Sequence, residues 1–259
     1  MRIRPWKSGC LGMASLFLFL FVPGGSISAS GLKMNIPEIA RSRQLIVVTT
    51  RDWNAIPATV RCFERAGAGS PWEEAVPARD AVAGRNGMAW GIGLHGTHPA
   101  AGPVKQEGDG RAPAGVFRLH AIFGDASPAA AHITRFPYIQ LTASSVGVDD
   151  VRSRYYNRVV DASGIKDKDW KSSEVMLGPH GLYRRGVIVE HNWQSLPGYG
   201  SCIFLHIWIG PGHGTSGCTA MALPDLTAII RRLDASKHPL LVQLPAAEYE
   251  RLKDNWRLP

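Results

Sequence analysis

A chain of 259 residues with 45% hydrophobic and 19% charged residues has the make-up of a folded globular protein, which excludes a disordered or fibrous chain. Its formal net charge of +8 is not gathered into Lys/Arg clusters with interleaved aromatics, so the sequence gives no case for nucleic acid as a partner. The 28 glycines and 18 prolines favour turns and short strands over long helices.

Residues 1–29 read as a signal peptide. Arg2, Arg4 and Lys7 form a basic n-region, and Leu11 to Val22 is an apolar run of h-region length. Pro23, Gly24 and Gly25 break that run ahead of Ser26, Ser28 and Ala29, so cleavage is expected after Ser28 or Ala29. The run is short for a membrane span. Arg2 and Arg4 are not adjacent, as a twin-arginine signal needs, and Cys10 precedes the run, where a lipoprotein cysteine would not sit. The expected location is the periplasm or cell envelope. Loss of the three leader cations takes the net charge to about +5, a mild bias toward anionic polymers. The mature chain keeps Cys62, Cys202 and Cys218, an odd number that points to one reactive thiol in an oxidising compartment. Cys62 and Cys202 could pair, although a buried thiol is the default for Cys202 within a strand.

Residues 30–43 read as a short tether, followed by one domain over 44–259. Gln44 to Thr50 is rich in β-branched residues and is expected to be the first strand. Strands are also expected over 59–65, 87–94, 116–122 and 138–142. Residues 96–114 read as a Gly/Pro loop and 143–181 as irregular and polar. The strongest strand signals are Gly186 to His191 and Cys202 to Ile209. A helix is expected from Pro224, with Leu226, Ile229, Ile230 and Leu233 on one face. Leu240 to Leu244 is a late strand and Ala246 to Trp256 a final helix. Strands first and helices last predict a mainly β, α+β fold rather than a βαβ wind. Gly91, Gly93 and Gly96 match a dinucleotide fingerprint, but the Gly- and Pro-rich residues that follow cannot start the helix it requires.

The chemistry is concentrated in Ser201 to Met221, SCIFLHIWIGPGHGTSGCTAM. Alternation puts Phe204, His206 and Trp208 on one strand face. A glycine-rich loop then leads through Thr215, Ser216 and Gly217 to Cys218 and on toward a helix. A Cys placed there is a candidate nucleophile, with His206 as base, and the N–H groups of Gly217 and Cys218 could hold an oxyanion. On spacing alone, a small core Cys and a satisfied core His is the favoured reading.

Two motifs shift that balance. His206 followed by Ser216-Gly217-Cys218 and Met221 resembles the active-site motif of the L,D-transpeptidase (YkuD domain) family. Upstream, Lys105 to Leu119 (KQEGDGRAPAGVFRL) is similar to the family's K-x-G-D-x-x-T-P-x-G-x-F element at Gly108, Asp109, Pro113, Gly115 and Phe117. Looser likeness extends through Tyr156-Asn157, Asp169-Trp170, His191 to Trp193 and Trp256 to Pro259. The chain departs from the family where Ile207 follows His206, and where Thr219-Ala220 replaces the usual Ile/Val-Arg. Thr215, Arg184 and Arg185 are candidates to replace that arginine. The resemblance implies a β-sandwich of mixed sheets and no metal or organic cofactor. It further implies that a Cys218 thioester cross-links peptidoglycan stem peptides and that carbapenems acylate Cys218. Ser216, Thr215 and Trp208 are then candidate substrate contacts. Tyr156, Asn157 and Asn192 have packing or turn roles as their alternative, and Asp109 reads as a turn residue.

Three alternatives stay open. Water in place of an amine would give an L,D-carboxypeptidase, and an amidase or endopeptidase would use the same pair. A zinc site could draw on His206, His213 and Cys218 with His191 or Cys202, although H-x6-H-x4-C is no standard ligand pattern. A wall-binding module without catalysis would keep the fold alone. The sequence does not specify an oligomeric state.

Overall fold

The computed structural model describes residues 35–96 and 101–259. The signal-peptide reading of residues 1–29 and its expected cleavage lie outside them. No helix among the described residues is long and apolar enough to cross a membrane. The fold is mainly β, with mixed sheets and few helices.

The chain starts with α1 (Pro37–Arg41), within the stretch expected to be a tether. Ile36 and Ile39 are almost wholly buried in the core, so this segment is packed rather than free. β1 (Gln44–Thr50) pairs antiparallel with β2 (Pro57–Glu64), which pairs with β3 (Glu73–Val82). β4 (Met88–Trp90) runs parallel to the start of β5 (Ala112–Gly124), a strand longer than the 116–122 expected. Residues 91–96, which carry the dinucleotide-like glycines, form turns and start no helix. α2 (Pro128–Ala131) leads to β6 (Tyr138–Gln140), beside β5.

Residues 143–181 are not irregular throughout. β7 (Ser145–Val148) pairs with β8 (Arg158–Asp161) on one side and β9 (Glu174–Val175) on the other, a separate three-stranded sheet. β10 (Arg185–Val189) then pairs with β11 (Phe204–Ile207). β12 (Thr219–Met221) lies parallel to β11, α3 is Leu223–Ile230, β13 is Leu240–Pro245 and α4 is Ala246–Trp256.

The main sheet runs β10-β11-β12-β3-β2-β1-β13-β5, and β5 also pairs with β10. The ring is therefore closed and barrel-like, an architecture compatible with the expected mainly β fold of mixed sheets. Closure removes the exposed strand edges that an open sheet would leave. Alternation gives the wall two apolar faces. Val187, Val189, Ile203 and Leu205 join the main core with α1, α3 and α4, while Ile188 and Phe204 face a second cluster with Phe123, Leu141, Met176, Tyr183 and Cys218. Met176, next to β9, belongs to that second cluster, so the small sheet packs over it.

Candidate active site

β11 ends a rigid, buried strand pair, and the loop after it returns as β12 in parallel register. Leu205 pairs with Thr219 and His206 with Ala220. Cys218 is thereby carried beside Phe204, whose N–H donates to Cys218 Sγ at 3.3 Å. Two-residue alternation on neighbouring parallel strands then puts Cys218 and His206 on one face. Cys218 leads into a strand, not directly into a helix as expected, and α3 begins only at Leu223.

The imidazole is the more completely defined partner. His206 Nδ1 lies 2.8 Å from the carbonyl oxygen of Ile207, which can only accept, so Nδ1 carries the proton. Nε2 is buried and, among the described residues, has no hydrogen-bond partner. Burial lowers its pKa to about 4, against a smaller rise from the Ile207 carbonyl, so the ring is neutral with an unshared Nε2 lone pair. The Tyr183 ring meets it edge-on at 4.9 Å, and Tyr183 OH donates to Glu174 Oε1 at 2.7 Å.

Cys218 is 6% exposed. Burial pushes its thiol up to about 12 and the Glu174 carboxylate adds to the rise, while the Phe204 N–H and the Lys105 ammonium oppose it. The thiol points at the Cys202 carbonyl, 3.5 Å away, and no hydrogen bond joins it to His206. The pair is a neutral thiol beside a neutral imidazole, with an apolar cover over the sulfur in place of the open cleft that the glycine-rich loop suggested.

The loop before Cys218 is internally tied. Thr215 Oγ1 donates to the Cys218 carbonyl at 2.6 Å and accepts from Gly217 N–H at 3.1 Å. Thr215 is therefore a loop brace, and the Gly217 N–H expected for an oxyanion is already committed, which leaves that of Cys218. Gly217 has φ +154, at the edge of the region that disfavours side chains, and an added Cβ would lie 3.2 Å from the Arg111 carbonyl oxygen. Ser216 is exposed and accepts from Arg85 Nη1 at 3.1 Å. Trp208 is half-buried just past β11, with its backbone N–H on the Met221 carbonyl at 3.0 Å.

Arg85 was not legible as a site residue. It follows β3 after a short bend, and its backbone joins the loop through Arg85 N–H to Thr215 O at 2.8 Å. Arg85 thus brings a guanidinium to the Cys218 loop. Arg184 pairs with Asp125 at 2.7 Å and Arg185 donates to Thr227 Oγ1 at 2.9 Å. A second cation comes from the upstream motif: Lys105 is 3% exposed, paired with Asp109, and its Nζ would lie 3.8 Å from a Cβ placed on Gly217.

Asp109 is a turn residue as read, also accepting from the Gln106 and Arg111 N–H groups. Asn157 and Asn192 are buried and spend their amides on backbone: Asn157 on His191, Asn192 and Cys202, and Asn192 on Leu196 and Gly200. Tyr156 is buried and donates to Glu107. Their roles are in packing and turns. Cys62 and Cys202 are free thiols in different clusters, so the pairing considered for them is not formed. Among the described residues no three His, Cys, Asp or Glu side chains gather as a metal-ligating set, so His206, His213 and Cys218 do not converge as the zinc alternative requires.

Comparison of the chain with protein-family models, with curated proteins and with solved structures finds no match.

Proposed function

We propose that this protein is a cysteine acyltransferase of the L,D-transpeptidase kind, acting on peptidoglycan stem peptides in the cell envelope. The observation that carries the reading is the state of His206. It is a neutral, fixed imidazole with a bare Nε2, on the same face of adjoining parallel strands as Cys218. The substrate class rests on the two sequence motifs.

In this reading the donor stem displaces the thiol from the Cys202 carbonyl, and Cys218 Sγ turns toward Nε2. Sulfur attacks the carbonyl at an L-centre of the donor as its proton passes to Nε2. The Cys218 N–H holds the oxyanion. The C–N bond to the terminal D-residue breaks, Nε2 returns the proton to the leaving amine, and a thioester remains. An amine of a second stem attacks that thioester and gives up a proton, and Cys218 is regenerated. Water in place of the amine makes the same site a carboxypeptidase. Incubation with purified disaccharide-tetrapeptides and mass measurement of the products tests this. Dimers support transpeptidation, loss of the terminal residue alone makes it a carboxypeptidase, and unchanged substrate overturns the proposal.

A further inference from the structure

A cavity of about 630 Å³ opens beside the candidate pair. Its size falls within the range of small-molecule sites. Two of its lining residues connect it to the candidate pair. Ile207 supplies the carbonyl that fixes His206 Nδ1, and Leu177 packs against the apolar cluster that contains Cys218. A group seated in the cavity therefore lies against Ile207, the residue whose carbonyl fixes the base.

The polar lining is basic. Arg184 and Arg185 both face the cavity, but Arg184 is neutralised by Asp125. Arg185 is half-buried, and among the described residues no carboxylate pairs with it. It donates one hydrogen bond, to Thr227 Oγ1 on α3, and that bond holds the guanidinium in place while leaving most of its five N–H donors free. A held, uncompensated guanidinium over an apolar floor of Ile207, Leu177 and the 45%-exposed Leu223 matches a carboxylate on an aliphatic stem.

We infer that this cavity is a substrate subsite in which Arg185 binds a carboxylate of the stem peptide. The identity of the peptide rests on the acyltransferase reading, while the binding itself does not require turnover. The test uses Cys218→Ala protein, titrated with a stem tetrapeptide and with versions amidated at one carboxyl each. Arg185→Met is expected to weaken binding at least tenfold, and Arg185→Lys less. One amidated peptide should bind the parent as weakly as Arg185→Met binds the free acid, with no further loss when both changes are combined. Equal affinity in the parent and Arg185→Met, or amidation costing the same in both, overturns the subsite, as does no binding to the parent. Should Arg185→Met not fold, the amidation series on the parent decides alone. Arg185-dependent binding without turnover in the native protein would leave the subsite standing and sink the acyltransferase reading; Cys218-dependent turnover indifferent to Arg185 would do the reverse.

Discussion

Replacing His206 with Gln should make folding stability less sensitive to acid, by an amount the structure fixes. The imidazole titrates at about 4 when folded, against an ordinary 6.5. The folded state therefore resists a proton that the unfolded chain accepts. The stability due to the neutral ring is fully present above pH 6.5, falls as pH drops through the window from 6.5 to 4, and levels off below it. At about 1.4 kcal/mol per pKa unit the whole displacement is worth about 3 kcal/mol, of which about 2 kcal/mol is lost between pH 7 and pH 5. Buried His191, lowered to about 3 mainly by its own desolvation, loses a similar amount in wild type and variant alike, so it cancels in the comparison. Urea unfolding at pH 7 and pH 5 should show the His206→Gln protein losing about 2 kcal/mol less than wild type. Equal losses would mean that His206 is already solvated or charged, and the bare Nε2 that the mechanism uses would be gone.

Cys218 should label slowly. With its thiol near 12 against an ordinary 9.0, the thiolate share at pH 8 is about 1000-fold smaller than in the unfolded chain. Iodoacetamide modification of folded and urea-unfolded protein, mapped by mass, checks this; equal rates refute it. Lys105→Met removes a cation that opposes that rise and should slow labelling of Cys218 at pH 9; an unchanged rate in a variant with native circular dichroism would remove Lys105 from the electrostatics of the site. Gly115→Ala should destabilise the fold by about 3 kcal/mol or more, because φ is +137 and the new Cβ would lie 2.1 Å from His95 Cε1. A thermal midpoint within 2 °C of wild type would contradict that packing.

Much of the barrel wall was legible because burial writes itself into sequence. β1 and α4 fall where Gln44 to Thr50 and Ala246 to Trp256 suggested, each with its own apolar pattern. β3 was hidden by its exposure. Charged residues at 73, 74, 79 and 80 mask the alternation, and Pro77 sits at the register shift between Cys62–Val76 and Val60–Arg79, where a strand tolerates it. β12 is only three residues long, and β7 to β9 are short strands defined by pairing over 10 residues or more of sequence. Closure of the ring depends on β5 meeting β10, a contact no local pattern records.

The site divides in the same way. His206 and Cys218 could be named from their motif, but their common face follows from parallel pairing of β11 and β12, which sequence does not display. Arg85, Tyr183 and Glu174 reach the region from distant segments, and no motif singled them out. Lys105 lies in the stretch that carries the upstream motif but is not one of its matched positions, and only the fold reveals that its ammonium lies against the Gly217–Cys218 turn.

Intact-mass measurement after rapid mixing with a donor tetrapeptide, followed by peptide mapping, tests the thioester most directly. The account predicts a mass gain equal to the donor minus its terminal D-residue, located on the peptide that contains Cys218 and missing from Cys218→Ala protein. Product formation with no such adduct, or an adduct on another residue, would contradict it.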